Sequence, residues 1–185
     1  MTLGNIYYFN STCELAVANG SISYQDPLLL REMEHDLAIL PFVFASENDF
    51  ILTENKPSIE FLETLRQAGF SLPKFFSLSE LEIMPDTIFN AIFPWGWSPA
   101  AHFKLKTLKE KCQADFKAST VFNWDEKHKS LFERSTALDF LNNLLDEDHP
   151  NWFVTKELIG QQISSLDDIE LLLEKQTPLV LKAPL

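Results

Sequence analysis

The interpretation of this sequence depends on the stretch Thr177-Pro-Leu-Val-Leu-Lys-Ala-Pro-Leu185. Its first two residues break a helical pattern, and Leu179 to Leu181 then form an apolar run typical of a strand buried on both faces. Lys182 follows where such a strand would end. Its stem could lie against apolar neighbours while its ammonium projects into a crevice, which suits an anionic ligand such as a phosphate. The alternative is a solvent-exposed lysine at a strand end.

Three elements precede this strand in the last third of the chain. Residues 127 to 141 are predicted to form a helix, and Trp152 to Thr155 a short strand. A second helix is predicted to open at Ser164 or Ser165, followed by acids in its first turn. The predicted order is therefore helix, strand, serine-capped helix and strand.

This order resembles the opening of an ATP-grasp domain. In that family a lysine precedes a helix, an extended segment follows, then a helix with a Ser-x-Asp/Glu start, then a Val-Val-Lys-Pro strand. By this resemblance Lys182 matches a lysine that binds the nucleotide phosphates. Lys127 matches the first such lysine, with Lys129 as the alternative.

The resemblance implies a ligase that uses ATP and Mg²⁺. Such an enzyme activates a small-molecule carboxylate as an acyl phosphate, which an amine or thiol then captures. The family's glycine-rich loop and metal-binding acids do not occur among these residues, so the chain is expected to hold no metal and to be incomplete and inactive alone. The resemblance further implies a Rossmann-like domain in residues 1–118 and the truncated first part of an α+β ATP-grasp domain in residues 119–185.

The first half of the chain alternates between β-prone runs and helical patterns. Strands are predicted at Ile6–Phe9, at Asp49–Thr53, over residues 72–76 and at Ile88–Phe93. Helical patterns separate the first three of them, one starting at Asp26-Pro27. This alternation predicts an α/β fold, a parallel sheet with covering helices.

The segment Asn10-Ser-Thr-Cys-Glu14 follows the first predicted strand directly. In an open α/β sheet, ligands gather at the carboxyl ends of the strands, so Asn10, Thr12 and Glu14 are candidates for binding a substrate. The alternative is that Ser11 or Thr12 caps the next helix.

The segment Pro94-Trp-Gly-Trp-Ser-Pro99 is the most unusual in the chain. Ser98 and Pro99 are predicted to begin a helix that carries His102 near its start. Aromatic faces beside cationic groups could hold a flat or anionic ligand, which makes Trp95, Trp97, Ser98 and His102 further candidates. The alternative is that both tryptophans fill the end of the sheet or an interface.

The bulk composition excludes several classes of function. The net charge of −12 and the pI near 4.7 argue against binding to nucleic acids or anionic membranes. No apolar run approaches the roughly 20 residues of a membrane span, and the first residues lack the pattern of a signal peptide. Two cysteines, Cys13 and Cys112, are too few for a disulfide scaffold. A cytoplasmic protein is expected.

Two further hypotheses remain open beside the ligase. One is a non-enzymatic module that binds a small molecule or a protein through the Asn10–Glu14 and Trp95–His102 segments. The other is an interaction protein, possibly a homodimer that covers an open edge of the sheet.

Overall fold

The computed structural model describes residues 4–146, 155, 159–175 and 179–183. The chain divides into two compact units, Met1–Trp124 and Asp125–Leu185. The strands are β1 (Ile6–Tyr8), β2 (Phe50–Leu52), β3 (Lys74–Phe76) and β4 (Ile92–Pro94). The helices of the first unit are α1 (Cys13–Asn19), α2 (Leu28–Leu37), α3 (Ile59–Gln67), α4 (Leu78–Ile83), α5 (Pro99–Lys104), α6 (Lys106–Glu110) and α7 (Ala114–Lys117), with a 3-10 turn at Leu40–Val43.

The first unit is built on one four-stranded sheet in the order β3-β2-β1-β4. All three strand pairings are parallel, with Ile6 beside Phe50 on one side and Ile92 on the other. The predicted parallel sheet with covering helices is therefore confirmed, and its topology is Rossmann-like. The chain moves outward from β1 through β2 to β3 and then returns to the opposite side of β1. The gap between β1 and β4 is thus the point where the strand order reverses.

Strand β4 begins four residues later than the sequence predicted. Phe89 instead forms an isolated bridge with Cys112, where its amide and carbonyl bond Lys111 and Gln113 at 2.9 Å each. The strand ends at Pro94, which is tolerated because β4 lies at the edge of the sheet and the proline nitrogen needs no partner there.

The core of the first unit lies between the sheet and the helices α4, α6 and α7. Phe50 of β2 packs edge-on against Phe89 at a centroid distance of 5.3 Å, and both rings are almost fully buried. The apolar residues that share this core are Ile6, Leu52, Leu81, Ile92, Leu105, Leu108, Cys112 and Phe116. This core holds the strands in place and thereby positions the loops at their carboxyl ends.

A buried carboxylate holds the start of β1 to the start of β2. Asp49 accepts a hydrogen bond from the amide of Asn5 at 2.7 Å and two from Ser46 at 2.8 and 2.9 Å. Gly4 lies so close to this segment that a Cβ there would come within 2.4 Å of the Asn48 carbonyl oxygen. Only glycine fits this position without a backbone shift.

Two helices begin at serine residues that cap them. Ser58 and Ser77 cap α3 and α4 with their hydroxyl groups, and Glu80 completes a capping box with Ser77. The helix predicted to start at Asp26-Pro27 begins at Leu28, after Pro27, and receives no side-chain cap.

The second unit contains α8 (Lys127–Ser130), α9 (Arg134–Asp146) and α10 (Leu166–Lys175). The single helix predicted over residues 127–141 is interrupted between α8 and α9. Helix α10 begins as predicted, since the amide of Asp168 donates to the Ser165 hydroxyl at 3.1 Å and the Asp168 carboxylate accepts from the Ser164 and Ser165 amides at 3.2 and 3.0 Å.

The buried strand predicted at Leu179 to Leu181 is not formed. These residues have no regular structure, and Val180 and Leu181 are 77% and 59% exposed. Among the described residues of the second unit no strand is available to pair with them, and three apolar residues form a buried strand only when a neighbour supplies hydrogen bonds. The strand predicted at Trp152–Thr155 lies outside the described residues except for Thr155, which is exposed and in no element.

Across the described ranges, every helix is too short or too polar to cross a membrane.

Candidate functional site

A cavity of about 700 Å³ opens at the carboxyl edge of the sheet. It lies beside the reversal point between β1 and β4, where ligands bind in open α/β sheets. We call it the edge cavity. Its walls come from the ends of β1 and β2, from α1, from the polar side of α2 and from the start of α5. The lining residues used below are Tyr8, Asn10, Thr12, Asp26, Glu34, His35, Ser98 and Lys104.

Asn10 joins the two loops that frame the edge cavity. Its side-chain amide donates to the carbonyl of Gly96 at 2.7 Å, and its oxygen accepts from the amide of Gly96 at 3.2 Å. Asn10 is 6% exposed, so both bonds are shielded from water. The residue predicted to bind a ligand thus lies at the cavity, and its amide holds the loop after β1 to the loop after β4.

The start of α1 is occupied by a carboxylate from α2. Oε1 of Glu34 accepts from the amide of Thr12 at 2.7 Å and from its hydroxyl at 2.5 Å. Thr12 takes the N-cap position, one of the two alternatives that the sequence offered, but its side chain makes no capping hydrogen bond to the helix. Glu34 thus pairs a backbone amide at the start of α1 that has no partner within the helix. Because Glu34 belongs to α2, no local sequence motif reveals this contact. Glu14 is exposed on α1 and does not line the cavity.

The edge cavity also has a cationic side chain in its lining, Lys104. The ammonium of Lys104 donates to the hydroxyl of Tyr8 at 3.0 Å and lies 4.7 Å from the centre of the same ring. Lys104 is an exposed residue. Partial desolvation of its ammonium opposes the charge, but the Tyr8 oxygen and the carboxylates of Glu54 and Glu34 outweigh this effect, so the pKa of Lys104 is raised. The cavity therefore contains a permanent positive charge that the sequence analysis did not single out.

Two further polar atoms face the edge cavity. Within the described part of the chain, Oδ1 of Asp26 and Nε2 of His35 are buried and have no hydrogen-bond partner. A buried polar atom without a partner lowers stability by about 1–3 kcal/mol, so both atoms gain when a polar ligand bonds them. The ring of His35 is half-buried and lines the edge cavity.

The candidates from the tryptophan segment are divided between several environments. Ser98 lines the edge cavity, although its hydroxyl is used to cap α5 by accepting from the amide of Ala101 at 3.1 Å. Trp95 is 59% exposed and touches Phe9 edge-on at 5.3 Å. Trp97 packs against His102 at 4.4 Å between ring centres, next to the core. His102 is buried and lines a second cavity of about 290 Å³.

The three lysines that the ATP-grasp resemblance singles out all belong to the second unit. Lys127 is exposed and Lys129 is half-buried, both on the four-residue helix α8. Lys182 is exposed in the irregular segment that was predicted to be a strand.

Both cysteine thiols are buried. Burial raises the pKa of Cys13 to about 11 and that of Cys112 to about 12, so both remain protonated near neutral pH. No cluster of three histidine, cysteine, aspartate or glutamate side chains among the described residues is placed to hold a metal ion.

Comparisons with protein-family models, with curated proteins and with solved structures find no match to this chain.

Proposed function

We propose that the first unit binds a small polar molecule with a carboxylate group in the edge cavity. The observation that carries this proposal is the paired hydrogen bonding between Asn10 and Gly96, which fixes the loops after β1 and β4 as one frame around the reversal point of the sheet. The cavity volume of about 700 Å³ falls in the usual range for sites that bind metabolite-sized ligands.

The polar groups of the edge cavity support a carboxylate as part of the ligand. Lys104 supplies a positive charge, and its contact with Tyr8 restricts where the ammonium can lie. Asp26 and His35 offer buried atoms that can bond a second polar group of the same molecule. Binding through a few placed polar groups inside a partly apolar wall is the usual arrangement for small metabolites.

The experiment is a binding screen of small carboxylic acids and their uncharged amides, followed by isothermal titration calorimetry of the acids that bind. We expect Lys104→Met to weaken binding of the acid about tenfold or more, because a charge-assisted hydrogen bond contributes about 1.5–3 kcal/mol. Lys117→Met is the matched control, since Lys117 is an exposed lysine outside the edge cavity. Equal binding of acids and amides, or equal loss in both variants, would refute the proposal.

We also propose that this binding unit serves a ligase of the ATP-grasp type, in which Lys182 and either Lys127 or Lys129 approach the nucleotide phosphates. The observation in its favour is the start of α10, where Ser164, Ser165 and Asp168 form the capped helix expected of the Ser-x-Asp/Glu motif. Hydrogen bonds from these serines, the Ser165 hydroxyl first, lower the pKa of Asp168. Among the described residues no group of three His, Cys, Asp or Glu side chains is placed to hold a metal ion, and we assign no catalytic step to them.

The coding sequence beyond Leu185 tests the ligase proposal directly. A glycine-rich segment followed by acidic residues is expected there, and the complete product should bind ATP in the presence of Mg²⁺ with a loss of affinity in Lys182→Met. A stop codon directly after Leu185 would refute the ligase proposal and leave a binding module without ligase activity.

A further inference from the structure

The second cavity contains a buried primary amine that the edge cavity does not involve. Lys109, near the end of α6, is 6% exposed and lines this cavity of about 290 Å³. Lysine is rarely buried to this degree without a carboxylate partner. Among the described residues no carboxylate forms a salt bridge with Lys109.

Within the described part of the chain, the contacts of the Lys109 amine are made to an imidazole nitrogen, a backbone carbonyl and two aromatic rings. Its Nζ lies 2.9 Å from Nδ1 of His102 and donates to the carbonyl oxygen of Phe122. It also lies 4.9 Å from the ring centre of Phe122 and 5.9 Å from that of Trp97. Burial lowers the pKa of Lys109, and the nearby carboxylate of Glu110 offsets only part of this effect.

This geometry suits an uncharged amine. A neutral amine has two hydrogens and one lone pair. Two acceptors, the Phe122 oxygen and Nδ1 of His102 in the tautomer that carries its proton on Nε2, can take the two hydrogens. The lone pair is then left without a role in the fold, on an atom that lines a cavity.

We propose that Lys109 forms an imine with a small aldehyde or ketone bound in the second cavity. The amine nitrogen attacks the carbonyl carbon and gives a carbinolamine, which takes up a proton and loses its hydroxyl as water to leave a protonated imine. The reaction joins amine and carbonyl, releases one water and needs no oxidant or reductant. Lysines that are desolvated in apolar pockets are the ones that act as such nucleophiles.

The walls of the second cavity match the chemistry of this product. The protonated imine would carry a positive charge between the faces of Trp97 and Phe122, where the amine already lies at cation–π distance. Phe103, Pro99 and Trp124 supply further apolar and aromatic wall. A flat apolar carbonyl compound is therefore the favoured class of ligand.

Reductive trapping of the folded wild-type protein tests the proposal. The protein is incubated with benzaldehyde and sodium cyanoborohydride at neutral pH, and labelled lysines are identified by peptide mass spectrometry. We expect Lys109 to be labelled about tenfold faster than Lys74 and Lys117, which are exposed and lie outside the second cavity. The same reaction in denaturant is the internal control, because all three lysines should then react at similar rates.

Labelling of Lys109 at or below the rate of the exposed lysines in the folded protein would overturn the proposal and leave the amine as a structural tie to Phe122. Lys109→Arg should abolish the fast label, whereas Lys117→Arg should leave it unchanged, because Lys117 lies outside the second cavity. Because the main comparison uses only the wild-type chain, a variant that fails to fold does not affect the test. A positive or negative result is also independent of carboxylate binding in the edge cavity.

Discussion

Removal of the Asn10 side chain should measure how strongly the frame of the edge cavity is held. In Asn10→Ala both the amide and the carbonyl of Gly96 lose their partners, which lie at 3.2 and 2.7 Å in the wild type. Gly96 is buried, so each group is left unsatisfied at a penalty of about 1–3 kcal/mol. We expect a loss of about 2–6 kcal/mol in the free energy of unfolding, the sum of the two penalties.

Urea unfolding monitored by tryptophan fluorescence gives the assay, with the slope of the transition required to stay constant. Asn90→Ala is the matched control, because Asn90 is exposed and its oxygen accepts one bond from Gln113 at 2.9 Å. We expect a change below about 0.5 kcal/mol for this control. If the two variants lose equal stability, the reasoning on the frame is refuted. A stable Asn10→Ala protein that binds carboxylates unchanged would contradict the proposed site as well.

Three further predictions concern single positions. Gly4→Ala should destabilise the protein in the same urea assay, because its Cβ would clash with the Asn48 carbonyl oxygen at 2.4 Å. Glu80 should titrate near 2 in an NMR pH titration, because bonds from Lys56 first and Ser77 second lower its pKa to about 2. A lowered pKa in the folded state means that this contribution to stability is present above the ordinary glutamate value of 4.5 and is lost as the pH falls toward 2. Cys13 and Cys112 should react with a thiol reagent near neutral pH only at the rate of unfolding, since both are buried and burial raises their pKa.

Each of these predictions has a control within the chain. Gly160→Ala should leave stability almost unchanged, because a Cβ at that position meets no atom within 4 Å. Lys56→Met should raise the pKa of Glu80, and an unchanged titration would show that the 2.6 Å salt bridge does not persist in solution. Fast labelling of either cysteine in the folded protein would show that the core opens without global unfolding.

The sequence predicted the parts of the fold that depend on local patterns. The runs at Ile6–Phe9 and Asp49–Thr53 became β1 and β2, and Ser98 with Pro99 began α5, because strand propensity and helix capping act over a few residues. The run Leu179–Leu181 is apolar like a buried strand but has no described partner, so the local pattern alone gave the wrong result.

Only some of the residues that line the edge cavity could be predicted, because local patterns do not reveal contacts between distant parts of the chain. Asn10 and Ser98 could be placed at the carboxyl edge from the positions of their strand and helix. Glu34 and His35 could not, because their roles arise from contacts between α2 and residues more than 20 positions away in the chain, such as the Glu34 bond to Thr12. One usable signal was the cluster of acids and one histidine on the polar side of that helix.

Helix α2 is the wall of the edge cavity that should move most easily when a solute enters or leaves. This helix contributes no buried residue, and a hydrogen-bonded carboxylate, Glu34, fastens it to the start of α1. Its amides should therefore exchange with deuterium much faster than those of the central strand β1. A solute can then reach the edge cavity by local displacement of α2 while the sheet keeps its pairing. Glu34→Gln should increase the rate of amide deuterium exchange selectively in α2.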